Sequence, residues 1–225
     1  MCGRYEAAIT NLEDLKARFE VQNQLEEDFP LYNVAPGMRM PVITRNSPNS
    51  VRMMRWGLIP FWAKDPKIGY KMINARCEGI DKKPSFRKPL ASQRCLVPAT
   101  GFYEWKKDIG DKNKQPYYIH LRGGGIFAFA GLYDIWKDAE GYPLETFTII
   151  TTQPNKLMAD IHNRMPVILS KGDEEKWLDP TTSVQEAMEL LDSYPAKEME
   201  AWQVSKKVNK ATNSTSPLNT PINSQ

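Results

Sequence analysis

Four runs in the middle of the chain leave little room for a helical fold. Residues 95–106, 117–121, 126–136 and 147–152 are dense in β-branched and aromatic side chains and are parted by glycine, proline or polar residues. That is the pattern of short strands. Two earlier runs, 40–44 and 51–58, flank the polar break 46–49 and predict a hairpin. Gly123, Gly124 and Gly125 predict a second hairpin between 117–121 and 126–136, since they lack the spacing and lysine of a phosphate-cradling loop. Helical periodicity is confined to short segments: 11–20, where Thr10 and Glu13 resemble a capping box, then 155–161, 171–178 and 184–191. A last strand is expected at 199–204. The expected fold class is therefore α+β, a curved, mostly antiparallel sheet or open barrel with short peripheral helices.

With 225 residues and 41% hydrophobic content, the chain can bury a full core, and no internal repeat or linker divides it. One domain over residues 1–208 is expected. Residues 209–225, rich in Asn, Ser, Thr and Pro and without aromatics, are expected to form a disordered or loosely draped tail. The net charge of +3 makes any nucleic-acid surface a local patch. Three cysteines at 2, 77 and 95 make no disulfide framework and argue for a reducing compartment. No apolar run reaches membrane-spanning length, so a cytoplasmic protein with no membrane partner is expected. Scattered cysteines and two distant histidines, His120 and His162, give no paired-ligand spacing, so neither metal nor cofactor is expected. Serine-nucleophile elbows and dinucleotide fingerprints are absent.

The chemistry-bearing residues are few. Removal of Met1 would leave Cys2 with a free α-amine titrating near ~7.7–8.0 beside a thiol near ~8.5, both usable at neutral pH. Such an aminothiol can condense with an aldehyde and close to a thiazolidine. Cys2 is equally readable as a small residue at a frayed terminus. Glu104, between Tyr103 and Trp105, faces solvent by alternation or sits in an apolar niche with a raised pKa. Asn74 and Arg76, two apart, project to one side of an extended segment. Phe61 and Trp62, bracketed by Pro60 and Pro66, form a presented loop or plug the core. His162 closes a short helix before Pro166, where a side chain can point into a cleft, while His120 lies on a strand face read as outer.

Taken together, Met1-Cys2-Gly3-Arg4, Tyr32-Asn33-Val34-Ala35-Pro36-Gly37, Trp56-Gly57-Leu58-Ile59-Pro60, Asn74-Ala75-Arg76, Gly101-Phe102-Tyr103-Glu104-Trp105, Ile161-His162-Asn163-Arg164-Met165-Pro166 and Val204-Ser205 resemble the SRAP family of abasic-site-sensing proteins, in this order and over nearly the whole chain. The resemblance implies binding of single-stranded DNA that carries an abasic site, and covalent capture of the ring-opened sugar by Cys2. It implies catalytic roles for Asn74, Glu104 and His162. It implies DNA contacts by Arg4, Asn33, Trp62, Arg76 and Arg164, in a monomer associated with the nucleoid or replication fork. Lyase, reversal and autoproteolytic activities are implied as accompaniments. Some relatives carry a tryptophan pair where this chain has Phe61 before Trp62, a departure in the stacking wedge.

Two other readings compete. An N-terminal-nucleophile glutamine amidohydrolase also begins Met-Cys-Gly, although Arg4 and Tyr5 do not continue in its manner. A plain single-strand-binding module would use Trp62 and the arginines without any covalent step.

Overall fold

The strand-rich runs do form strands, but they are distributed between two sheets. The computed structural model describes residues 2–9, 12–23, 31–107 and 114–222; Met1 and the Thr10 of the expected capping box lie outside these. In chain order the strands are β1 (Arg4–Ala7), β2 (Leu31–Val34), β3 (Arg39–Thr44), β4 (Ser47–Trp56), β5 (Asn74–Arg76), β6 (Arg94–Ala99), β7 (Gly101–Lys106), β8 (Gln115–Leu121), β9 (Phe127–Lys137), β10 (Pro143–Thr152), β11 (Met165–Pro166), β12 (Ile168–Leu169) and β13 (Met199–Gln203). The helices are α1 (Leu12–Phe19), α2 (Pro84–Ser92), α3 (Lys156–Ala159), α4 (Lys171–Leu178) and α5 (Val184–Glu189).

Strands β10, β4, β3, β6 and β9 are joined in that order, and β9 pairs back onto β10, which closes a barrel. Closure removes exposed strand edges. Only the β4–β10 contact in this ring is parallel. Beyond it, the chain loops out after Trp56 and returns as β5, parallel to β10 with Asn74 opposite Ile149. The second sheet is antiparallel, in the order β13-β8-β7-β1-β2. The α+β class, with mostly antiparallel sheets and short helices, is what the sequence predicts.

Successive residues of the barrel strands feed two different cores, as strand alternation requires. Val97, Phe129 and Ile149 pack with Tyr5 and Phe102 of the five-stranded sheet, and Cys2 belongs to this cluster. Leu96, Ala128, Ala130 and Ile150 pack with Leu15, Leu90 and Trp177 of the helices. The buried Arg94 donates to the carbonyls of Leu90, Trp177, Asp179 and Thr182, supplying a cation where α2 and α4 end.

Several local expectations are corrected. The run 95–106 is two strands in two sheets, because the chain changes sheet at Thr100. Gly101 permits the crossing: a Cβ there would lie 2.4 Å from the Tyr118 ring. The three glycines do not close a hairpin. All have φ between 75° and 99°, and they carry the chain from β8 in one sheet to β9 in the other. His120 is not on an open face but packs between the Tyr118 and Trp202 rings, at 5.4 and 4.6 Å. Helix α2 was not expected, since its two prolines mask the helical pattern. Nor are residues 209–222 a loose tail: Leu218 is buried with Val208, Tyr103 and Tyr118.

Candidate functional site

Cys2 lies one residue, Gly3, ahead of β1 and is fully buried. Its thiol donates to the Arg4 carbonyl at 3.6 Å. Burial, and after it the charge of Glu104, pushes the thiol well above its ordinary pKa, so it rests protonated.

Asn74 reaches the same place from β5. Its Nδ2 donates to the Cys2 carbonyl at 3.0 Å and to the Ile73 carbonyl at 2.7 Å. Two carbonyl acceptors on one nitrogen fix the orientation of the amide. Its Oδ1 is left buried without a hydrogen-bond partner among the described residues. A buried acceptor in that state favours any donor brought to it.

Glu104 lies on β7, next to Tyr103, the register partner of Arg4. It is buried rather than solvent-facing. Burial raises its carboxyl pKa, opposed by the charge of the amino terminus and then by His162. That coupling places Cys2, Glu104 and His162 in one electrostatic neighbourhood. His162 follows α3, with its backbone N–H donating to Met158. Its Nδ1 lies 3.1 Å from the Arg164 backbone N–H and 3.3 Å from the Arg164 carbonyl, which fixes the orientation of the ring.

The five residues expected to touch DNA fall into two groups. Trp62 and Phe61 are 47% and 52% exposed, so they form a presented loop and not a core plug. Arg76 is exposed at the end of β5. The other three are engaged with protein. Arg164 is buried, forked onto both oxygens of Glu78 and bonded to the Thr151 carbonyl. This fork pulls the Glu78 carboxyl down to about 2. Arg4 donates from Nη1 to Asn33 Oδ1 and the Val208 carbonyl, both at 2.9 Å. Asn33 is fully buried, its Nδ2 within 3.0–3.1 Å of the carbonyls of Val208, Lys210 and Asn213.

Sequence reading missed Tyr70, 62% exposed, with the Arg55 guanidinium 5.0 Å from its ring centroid. In the aromatic loop itself, Lys88 lies 4.2 Å from the Phe61 ring centroid. Aromatic faces interleaved with cations suit stacked bases and phosphates. The signal available was an aromatic next to Lys71 in a proline-opened turn. Among the described residues no three His, Cys, Asp or Glu side chains gather as a metal site, and no helix is long and apolar enough to cross a membrane.

A family model described as SOS response associated peptidase (SRAP) matches residues 1–211. The abasic site processing protein YoqW of Bacillus subtilis (strain 168) is 50% identical over 222 residues, which cover 97% of this chain and 98% of the relative. The abasic site processing protein HMCES of Pongo abelii is 36% identical over 234 residues, covering 86% of this chain and 65% of the relative. A solved structure of a protein from Bacteroides thetaiotaomicron superposes with a TM-score of 0.87 at 36% identity, covering 98% of this chain and 97% of that one. A phage-related protein from Bordetella bronchiseptica does so with a TM-score of 0.70 at 32% identity, covering 91% and 95%.

Proposed function

The chain belongs to the SOS response associated peptidase (SRAP) family, and from that premise we propose that it captures abasic sites in single-stranded DNA by a covalent bond to Cys2. The observation that carries the reading is the convergence of a second-position cysteine, the Asn74 amide with its unpartnered Oδ1, and a buried carboxyl coupled to both Cys2 and His162.

The reaction begins once Met1 is gone, either through the processing aminopeptidase or by the chain's own hydrolysis of that bond. The Cys2 amine attacks the aldehyde carbon of the opened sugar and forms a carbinolamine. Glu104, its pKa raised by burial, donates a proton to the carbinolamine oxygen, which leaves as water and yields the iminium. The Glu104 carboxylate then takes the proton from the thiol, which burial otherwise keeps on sulfur, and Sγ adds to the iminium carbon. One C–N and one C–S bond form, one water leaves, and no electrons are gained or lost. In this scheme Asn74 holds the Cys2 carbonyl while its Oδ1 receives the amine or a sugar hydroxyl, and the His162 imidazole serves the sugar oxygen during ring opening. Trp62 stacks on a neighbouring base and Arg76 pairs with phosphate. Elimination of the 3′ strand from the iminium before sulfur adds would be the lyase side reaction, and the same steps run backwards would be reversal. The natural setting is a replication fork, where such sites are single-stranded.

Intact mass spectrometry, before and after mixing with an abasic oligonucleotide, tests the proposal. Expected are loss of Met1 and a denaturant-stable product weighing protein plus DNA minus one water. Cys2→Ala should give none, and Cys2→Ser at most a labile Schiff base. A stable adduct from Cys2→Ala at wild-type level, or none from the wild type, would overturn it.

A further inference from the structure

The C-terminal segment that sequence composition marks as a tail is a strap across the five-stranded sheet. It leaves β13 at one edge, where Val204 donates to the Pro116 carbonyl. A short 3₁₀ turn, Lys206–Asn209, then delivers the Val208 and Asn209 carbonyls to Arg4 and the Asn209 Oδ1 to the Trp105 indole N–H at 2.8 Å. At the opposite edge, the Ser214 carbonyl accepts from the Tyr32 N–H of β2 at 2.8 Å. The segment then returns: Asn219 bonds to Glu6 and accepts from Trp202, and Pro221 bridges back to Val204.

Strand β1, which Cys2 leads into, therefore lies between the main core on one side and this strap on the other. It is four residues long and pairs with an edge strand, β2, only through Tyr5 and Ala7. On its other side β1 pairs with β7 through Arg4, Tyr5 and Glu6, whereas the β2 pairing is irregular between Tyr5 and Ala7. On the β2 side, further support comes from Arg4 and Asn33, which bond to each other and whose donors converge on strap carbonyls.

We propose that residues 206–222 hold the Cys2 end of β1 in place, and that Arg4 and Asn33 are positioning residues acting through this strap rather than DNA ligands. The inference rests on the reading of Cys2 as the nucleophile only where adduct formation is concerned.

Arg4→Lys and Arg4→Gln separate the two roles. Lysine keeps the charge that a phosphate needs but cannot reproduce the fork to Asn33, Val208 and Asn209. Three readouts are used: affinity for an oligonucleotide with a tetrahydrofuran abasic analogue across a salt series, the single-turnover adduct rate at saturating abasic DNA, and alkylation of Cys2 by iodoacetamide without DNA, followed by peptide mapping. For both variants the expected affinity and salt slope match the wild type, while misplacement of the nucleophile slows the adduct rate by roughly tenfold or more. Loosened burial should speed Cys2 alkylation by about tenfold, since access governs a buried thiol. Asn33→Ala should act in the same direction and non-additively with Arg4→Gln; if it does not fold, the half-buried Arg4 pair still decides.

A salt slope reduced by about 0.7 in Arg4→Gln, the loss of one single-strand phosphate contact, with Arg4→Lys behaving as wild type and Cys2 alkylation unchanged, would overturn the strap role. A wild type that forms no adduct while the variants still expose Cys2 would support the strap and sink the proposed function instead.

Discussion

Glu6 and Glu104 sit on neighbouring antiparallel strands, both buried, both with carboxyl pKa values raised first by that burial. Their surroundings differ in kind. Glu6 Oε2 receives the Tyr118 hydroxyl at 2.5 Å and the Thr100 hydroxyl at 2.9 Å, with Asn219 Nδ2 at 3.5 Å. The Tyr103 hydroxyl lies 3.5 Å from its other oxygen. Neutral donors from β8, the Thr100 crossing and the strap thus converge on one carboxyl and tie them together, while the Tyr103 hydroxyl gives its proton to the Tyr32 carbonyl at 2.9 Å. Glu104 is instead coupled to ionisable groups, the amino terminus and His162 opposing its raised pKa, and its own charge acts on the Cys2 thiol. Burial alone does not mark a catalytic carboxylate. In the proposed scheme the distinction lies in the neighbours, ionisable groups beside Glu104 and fixed hydroxyl donors around Glu6.

The sharpest way to break this contrast is Glu104→Gln. Loss of a proton shuttle should slow adduct formation by ~100-fold or more, while thermal unfolding shows no loss of stability, because a buried group that is costly to ionise has been replaced by a neutral one. A rate within twofold of wild type would remove Glu104 from the scheme. Glu6→Ala should do the reverse. Stranding the Tyr118 and Thr100 hydroxyls costs about 1–3 kcal/mol by denaturant titration, with the adduct rate of the folded fraction little changed.

The pH dependence sharpens the same pair. Because its folded pKa is raised, Glu6 keeps its proton longer in the folded chain than in the unfolded one. Its contribution to stability is therefore fullest below the ordinary value of 4.5 and declines as pH rises toward the folded value. The stability gap between wild type and Glu6→Ala should be widest on the acid side of that window and narrow above it; a gap that widens with pH would contradict the assignment. The smallest effect expected is from Tyr118→Phe, which removes one of several donors and should cost about 1 kcal/mol in unfolding free energy.

Much of this architecture is legible locally. The hairpin of β3 and β4, the β10 run and the short helices other than α2 follow from side-chain alternation and periodicity, because those patterns act over a few residues. Which sheet a strand joins does not act over a few residues. The Gly123 to Gly125 turn obeys hairpin grammar yet links different sheets, and the Thr100 crossing depends on the Tyr118 ring fitting against Gly101, a neighbour far along the chain. At the site, Cys2, Asn74, Glu104 and His162 could be named from their motifs. The burial that separates Glu104 from a solvent-facing residue could not.

Residue types and their order thus determined the strands, the helices and the identity of the groups able to do chemistry, since these depend on what each side chain is. Tertiary structure alone decided what each group is spent on. An arginine fork or an asparagine amide donates as readily to a backbone carbonyl or a carboxylate as to a phosphate. Arg164 is held by Glu78, and Arg4 and Asn33 by a segment about two hundred residues downstream, because folding brought those acceptors within reach and removed the water that would have competed for the donors.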